Sequence, residues 1–114
     1  MSETRVPSIG TLTDRIQLLR KMSTSEPAGG EVAVYSPIAT VWARVRQLSV
    51  RQAFATDARG QTVSHAVVLR FRTDLKAGDR VIYRGRNLEI EGVADLNGRR
   101  AYVSLQCAER VVTG

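Results

Sequence analysis

The sequence contains a single cysteine and a single histidine, and this scarcity limits the chemistry that the chain can carry. Cys107 alone can form neither an internal disulfide nor a multi-cysteine metal site, and its alternating apolar position is typical of a buried small residue. His65 lies on the apolar face of its predicted strand with no nucleophile pattern beside it, so we interpret it as a buried core histidine. We therefore predict no catalytic residue, no bound metal and no cofactor.

Long apolar runs are also missing from the chain. No stretch approaches the roughly 20 apolar residues that a membrane span requires. The first seven residues lack the apolar core of a secretory signal, so we expect a cytoplasmic compartment and no membrane partner. The length of 114 residues is that of one modest domain.

Lysine is scarce as well, although the chain is basic. Lys21 and Lys76 are the only lysines among 17 basic residues, and the formal net charge is +6. Arginine makes bidentate and stacked contacts that lysine cannot, so this bias suits interfaces and phosphate contacts. A GC-rich genome would produce the same bias without functional meaning. The charge is compatible with an acidic partner or with nearby nucleic acid.

What the chain does contain is a regular alternation of apolar and polar residues, punctuated by turn residues, which predicts a mostly β protein. Pro37 is predicted to interrupt an early strand, and tight hairpin turns are predicted at Gly85-Arg86 and Asn97-Gly98. So many short strands are expected to close into a small antiparallel β-barrel, or a sandwich, because closure removes exposed edges. The predicted strands cover 14–21, 31–35, 39–48, 62–73, 80–84, 87–94 and 100–107.

One segment, 49–61, breaks the β pattern. Ser49-Val-Arg-Gln52 has the form of a capping box, apolar residues follow at helical spacing, and Gly60 suits a C-terminal stop. We predict one short helix inserted between strands, and insertions of this kind often carry function. The expected organisation is a flexible N-terminal arm (1–10), a single β-barrel domain (11–108) of six or seven strands with this inserted helix, and a C-terminal tail (109–114).

Alternation also predicts which charged side chains face outward. Trp42, Arg44 and Arg46 share one face of a long strand, and these residue types are enriched at protein interfaces. Packing of Trp42 on the barrel exterior or under the helix is the alternative.

Two further pairs of charged residues are expected on outer faces. Arg70 and Arg72 lie opposite the apolar face of their strand. Glu89 and Glu91 are two residues apart, which predicts one shared solvent face and cross-strand pairing with Arg84 or with the Arg70 and Arg72 face.

Five of these elements, in chain order, resemble the head–tail joining proteins of tailed bacteriophages, which are also called head-completion or stopper proteins and have relatives in gene transfer agents. Each element alone is common, but five in order at compatible spacing are specific. The resemblance covers residues 11 to 108. The matching segments are Leu12-Thr-Asp-Arg-Ile16, Ala39-Thr-Val-Trp-Ala-Arg-Val45, Ser49-Val-Arg-Gln52, His65 to Arg70, and Gly78 to Ile90.

The resemblance implies a non-enzymatic structural protein of a virion or gene transfer agent particle. Such proteins are small β-barrels that form a ring, for which we favour six-fold symmetry, with twelve-fold as the alternative. The ring is expected to join the portal and adaptor ring above to the tail terminator ring below, and to surround the passing double-stranded DNA. In some members of the family a loop closes this channel, which gives the name stopper.

The resemblance also suggests roles for the candidate residues. Segment 49–61 is the favoured channel loop, and loop 23–30 is its alternative. Subunit or ring contacts are assigned to Trp42, Arg44, Arg46, Arg70, Arg72, Glu89 and Glu91, and channel contacts to Arg51, Gln52, Asp57 and Arg59.

The rival hypothesis is a free-standing basic β-barrel that binds RNA or single-stranded DNA. It requires aromatic residues interleaved with basic residues on one exposed face. Only 5% of the chain is aromatic, and the sequence places Trp42, Phe54, Phe71, Tyr83 and Tyr102 on different elements, which counts against it.

Overall fold

The computed structural model describes residues 12–25, 29–48 and 63–110, and these form one antiparallel sheet that closes into a barrel. The neighbour order is β1-β2-β3-β6-β5-β4, and β4 pairs back onto β1. Within these ranges the helical structure is a single 3-10 turn, Leu96–Gly98. The predicted small antiparallel β-barrel is confirmed. The strands are β1 (Asp14–Ser25), β2 (Glu31–Gln47), β3 (His65–Arg70), β4 (Arg80–Tyr83), β5 (Arg86–Asp95) and β6 (Tyr102–Arg110).

A single apolar core fills the barrel, because alternate residues of each strand point inward. On β3, for example, Val67 and Leu69 are buried while the residues beside them are half-buried or exposed. Ile16 and Leu18 of β1 are buried in the same core, as the alternation of that strand predicts. A second, smaller cluster packs Leu12, Leu96 and Tyr102 together beside the connection between β5 and β6.

Strand β2 passes through Pro37 without ending, so the predicted interruption is wrong. The pairing with β1 shifts register here: Ala39 lies opposite Leu18, whereas Pro37 lies opposite Leu19, which leaves Ile38 as an extra residue. A bulge of this kind tolerates proline, since the ladder is already disrupted locally and one N–H is not needed.

Strands β1 and β2 are longer than the barrel and continue together beyond it. β1 pairs with β4 only from Gln17 to Leu19, and β2 pairs with β3 only from Ala43 to Gln47. Residues 20–25 and 31–36 therefore pair with each other and, in the described ranges, with no third strand. We call these residues the β1–β2 ribbon. The predicted loop 23–30 is correspondingly shorter than expected.

The turn between β4 and β5 differs from its prediction by one residue. Its central residues are Arg84 and Gly85, with φ of 51° and 79°, rather than Gly85 and Arg86. Positive φ at both positions is the type I′ geometry that matches the twist of the flanking strands. Arg86 instead pairs with Tyr83 as the first residue of β5.

Asn97 and Gly98 connect β5 to β6 as predicted, but not as a two-residue hairpin. They belong to a longer connection in which Asn97, Gly98 and Arg100 all have positive φ. The carboxylate of Asp95 accepts the backbone N–H of Arg100 at 3.0 Å, which closes the loop.

Several predicted segments fall partly or wholly outside the described residues. The N-terminal arm (1–10) and the inserted helix with its loop (49–61) lie outside them entirely. Strand β6 ends at Arg110, so the first two residues of the predicted C-terminal tail (109–114) belong to the sheet.

Candidate functional site

The outer face of β1, β2 and β3 carries the exposed aromatic and basic residues that alternation predicted. Trp42 is 52% exposed, and Arg44 and Arg46 are exposed on the same side of β2. Across the strand pair, Arg15 of β1 lies opposite Trp42, and its guanidinium carbon is 5.1 Å from the centre of the indole ring. This cation–π contact restrains the tryptophan, and half of its surface stays exposed to solvent.

A surface pocket of about 320 Å³ opens beside Trp42, where β2 meets the end of β3. Its floor is apolar and its rim is cationic. The guanidinium of Arg100 stacks on Phe71 at 5.2 Å from the ring centre, so a further arginine lies next to the pocket. We call this the Trp42 pocket; it is lined by Val41, Trp42, Leu69, Arg70, Phe71 and Arg72.

The two arginines of this pocket are not equivalent. Arg70 is the last residue of β3 and is exposed, whereas Arg72 lies beyond the strand end and is engaged by Asp74. Arg72 donates from Nε and Nη2 to the two carboxylate oxygens of Asp74 at 2.9 and 2.8 Å. This bidentate hydrogen bonding raises the pKa of Arg72 and lowers the pKa of Asp74. Arg70 is therefore the more available cation for a partner.

The remaining arginines of the face lie among apolar neighbours. Arg44 is opposite Val68, and Arg46 is opposite Ala66, on β3. Neither arginine has a carboxylate directly across the strand pair. The face is thus positively charged and suited to an acidic or phosphate-bearing partner, or to stacking and apolar contacts through the arginine stems.

The predicted pairing of Glu89 and Glu91 on one solvent face is wrong. The register of β5 against β6 shifts between Ile90 and Gly92, which marks a bulge, and both Ile90 and Glu91 are buried. Glu89 is half-buried and lies opposite Arg80 of β4 rather than opposite any of the arginines expected from the sequence. Glu91 is therefore an interior residue and drops out of the interface candidates.

His65 is a core histidine, as its strand pattern predicted. It is 2% exposed, and its Nδ1 lies 2.8 Å from the hydroxyl of Ser64, which also accepts the backbone N–H of Glu109 at 2.8 Å. Burial lowers the pKa of His65, an effect that the carboxylate of Glu109 opposes and the charge of Arg86 reinforces. Burial therefore favours the neutral form of the ring.

Closure of the sheet brings Cys107 directly opposite His65, a juxtaposition that no local motif signals. Burial, with a smaller contribution from the charge of Glu91, raises the pKa of the Cys107 thiol to about 12. A buried thiol with a raised pKa is a poor nucleophile. Within the described part of the chain, no group of three His, Cys, Asp or Glu residues is placed to hold a metal ion.

The structure adds residues to the surface that sequence reasoning missed. Arg15 follows the alternation of β1 and could have been placed outward, but its pairing with Trp42 depends on the β1–β2 register. Phe71 is half-buried, packs against the core and also lines the Trp42 pocket. Two of the aromatics expected on different elements thus share one basic site. The channel candidates Arg51, Gln52, Asp57 and Arg59 lie outside the described residues.

No helix within the described ranges is long and apolar enough to cross a membrane.

Comparison with known proteins gives one family. The family model described as phage head completion protein matches residues 7–110. A solved structure from Shigella flexneri 2a is similar with a TM-score of 0.68 and 26% identity, over 90% of this chain and 96% of that chain. A chain of the virion of a native gene transfer agent particle has the same fold, with a TM-score of 0.62 and 20% identity over 86% of this chain and 94% of that chain. Among curated proteins no significant match is found.

Proposed function

Because the chain belongs to the phage head completion protein family, whose model matches residues 7–110, we propose that it forms a ring at the head–tail joint of its particle. Membership of this family makes it a virion structural protein. The proposed ring joins the portal and adaptor ring above to the tail terminator ring below, and double-stranded DNA passes through it. The match to the family model is the observation that supports this proposal. The host particle is a tailed phage or a gene transfer agent.

The outer face of β1 to β3 supports a ring. A ring needs two different and complementary surfaces on each subunit. Trp42, Arg44, Arg46 and Arg70 supply one such surface, since all four are exposed, and Trp42 and Arg70 also line the Trp42 pocket. We propose six-fold symmetry, with twelve-fold as the alternative, and half-buried Glu89 as a residue near a neighbouring subunit or ring.

We propose a non-enzymatic role for the protein. The only histidine and the only cysteine of the chain are both buried, and the cysteine has a pKa of about 12. The described residues therefore offer neither an accessible imidazole base nor a reactive thiol. This arrangement favours a function in shape and contacts.

Closure of the channel is assigned to segment 49–61. A variant in which this segment is replaced by a short Gly-Ser linker should still form particles with joined tails. It should lose packaged DNA if the segment closes the channel, which a nuclease-protection assay on purified particles measures. If the packaged DNA of the variant were fully protected from nuclease, segment 49–61 would not close the channel. The role left to the segment would then be to adapt the symmetry of one ring to the next.

Deletion of the gene in the producing strain, followed by electron microscopy, tests the head–tail assignment. We expect heads separated from intact tails, with DNA retained or leaking according to whether the ring closes the channel. Complementation with the intact gene should restore joined particles. Normal tailed particles in the deletion strain would overturn the proposal.

A second candidate function rests on the Trp42 pocket, where two aromatic rings and two arginines meet. Stacking platforms beside cations are how single-stranded nucleic acid is bound without sequence preference. Purified protein would then bind a fluorescent oligonucleotide with an affinity that falls steeply with salt. Substitution of Trp42 by Ala should weaken that binding. Binding with no dependence on Trp42 would leave only the general attraction of a basic protein for DNA.

A further inference from the structure

The β1–β2 ribbon presents an apolar face to solvent. Met22 and Val34 lie directly opposite one another, and Val32 is two residues from Val34, so the three side chains share one face. Met22 is 51% exposed, Val34 45% and Val32 39%. These are three of the five large apolar residues that are exposed in the described ranges. A two-stranded ribbon is marginal in water on its own, and a cluster of this kind marks a contact site.

Contacts on the opposite face of the ribbon determine the direction in which the ribbon leaves the barrel. Tyr35 lies under the guanidinium of Arg80, whose carbon is 3.7 Å from the ring centre. On the same side, the backbone N–H of Lys21 donates to the buried carboxylate of Asp79 at 3.0 Å. Arg20, at the base of the apolar face, donates to the carbonyl of Asp74 at 3.1 Å. The ribbon is therefore held at its base, and the apolar side chains of Met22, Val32 and Val34 beyond Arg20 are exposed.

The same chain carries a complementary hollow. The Trp42 pocket has an apolar floor and a volume of about 320 Å³. Ligand pockets range from roughly 300 to 1,000 Å³, so this one suits a few aliphatic side chains rather than a large ligand. Met22, Val32 and Val34 are uncharged, and Arg20, the charged residue at the base of the same face, is held by the carbonyl of Asp74, so these three side chains can approach the arginine rim.

The ribbon cannot reach the pocket of its own subunit. Val34 and Val41 belong to one continuous strand, seven residues apart, which is roughly 23 Å at 3.3 Å per residue. Contact between the two features therefore requires a second copy. It also runs head to tail, because each copy gives its ribbon to one neighbour and its pocket to another. Repetition of such a contact forms a ring when the rotation between neighbouring copies closes, and an open filament otherwise.

Strand addition along the open edge of β2 is a less suitable contact. Pro37 contributes no N–H, and the bulge at Ile38 disrupts the regular edge. Side-chain docking is therefore the contact that this edge permits.

We propose that the apolar face of the β1–β2 ribbon of one copy docks into the Trp42 pocket of the next copy, with Met22 and Val34 entering between Trp42 and Phe71. The occupant is thus another copy of this chain. This inference rests on the proposed ring and assigns the two surfaces that close it.

Cross-linking in assembled particles tests the contact. Val34→Cys and Arg70→Cys are combined in one chain, and particles are treated with a short bis-maleimide. The native thiol is buried, so it does not compete for reagent. We expect a ladder of covalent multimers from the double variant and none from either single variant. Val93→Cys with Arg70→Cys is the matched control, because Val93 is also exposed, on β5, and should give no ladder.

The outcomes separate this inference from the proposed function. Particles that contain the protein without a ladder would overturn the docking and leave the ring in place. A product from Val34→Cys alone would indicate ribbon-to-ribbon pairing and would equally overturn it. If the protein were absent from particles, the proposed function would fail. The same reaction on concentrated purified protein would then decide the docking, with a ladder supporting it and its absence excluding it.

A second variant avoids chemical modification. Met22→Ser with Val34→Ser should fold normally, because both side chains are exposed. Its incorporation into particles should fall at least tenfold relative to the Val93→Ser control. Equal incorporation of the two variants would contradict the docking.

Discussion

The guanidinium carbon of Arg80 lies 3.7 Å from the centre of the Tyr35 ring, which joins the start of β4 to the β1–β2 ribbon. Both side chains are half-buried, so this cation–π contact is only partly screened by water. Beside it, the carboxylate of Asp79 holds the N–H of Lys21. These contacts determine how the ribbon leaves the barrel.

Substitution Arg80→Ala should loosen the ribbon without unfolding the barrel. We expect the free energy of unfolding to fall by about 1 to 2 kcal/mol, and amide exchange to accelerate in the ribbon more than in β3 and β6. Denaturant titration and hydrogen exchange measure the two effects. The matched control is Arg84→Ala: Arg84 is exposed and lies 5.3 Å from the ring centre of Tyr83, so its loss should cost about 0.5 kcal/mol. Equal losses in the free energy of unfolding for the two variants would show that the Arg80 contact with Tyr35 contributes no more than the Arg84 contact with Tyr83.

Substitution Asp79→Ala should be the more damaging change at this site. Asp79 is fully buried, and its two oxygens accept the N–H groups of Lys21 and Lys76 at 3.0 and 3.1 Å. Loss of both acceptors leaves the N–H groups of Lys21 and Lys76 unsatisfied, which should lower the free energy of unfolding by about 2 to 4 kcal/mol. Urea denaturation measures this loss. Asp79→Asn, which retains one acceptor, should lose less.

The half-buried carboxylate of Asp95, at the end of β5, provides the control for Asp79. It accepts the N–H of Arg100 at 3.0 Å in a solvent-accessible turn, so Asp95→Ala should cost about 1 kcal/mol or less. Comparable losses at the two positions would contradict the special role of the buried carboxylate.

Stability should fall on mild acidification because of His65. Its pKa is lowered in the folded state from the ordinary 6.5, chiefly by burial. Below about pH 6.5 the unfolded chain therefore binds a proton that the folded chain resists, and stability declines until the folded pKa is reached. Urea unfolding between about pH 7.5 and pH 5.5 should show this slope. His65→Gln should flatten it, since the chain has one histidine. If the stability of His65→Gln depended on pH as steeply as that of the unsubstituted protein, the pH dependence would come from other titratable groups.

Trp42→Ala and Arg44→Glu should impair assembly more than folding. Both residues are exposed, so each substitution should change the free energy of unfolding by about 0.5 to 1 kcal/mol or less. Incorporation into particles should drop strongly, which quantitative immunoblotting of purified particles would detect. Val93→Ala, an exposed substitution on β5, serves as the control. Normal incorporation of either variant would remove this face from the assembly contacts.

Much of the fold follows from local pattern. The apolar alternation of β3 predicted which of its side chains are buried, because side chains of an extended chain point to alternate faces whatever the strand pairs with. The same argument placed Trp42 and Arg44 outside. It failed at Glu91, where a bulge in β5 puts two consecutive residues inside. The prediction that Pro37 interrupts the strand also failed, because a second bulge accommodates the proline within β2.

By itself, then, the sequence determined the strands, the outward placement of the basic residues, and the family. Only the tertiary structure decided which distant residues meet: Arg15 on Trp42, Arg80 on Tyr35, and Cys107 opposite His65. Alternation is a property of a few adjacent residues, whereas these contacts depend on register between strands and on closure of the sheet. Register and closure are set by the free energy of the whole packed core, which no local window contains.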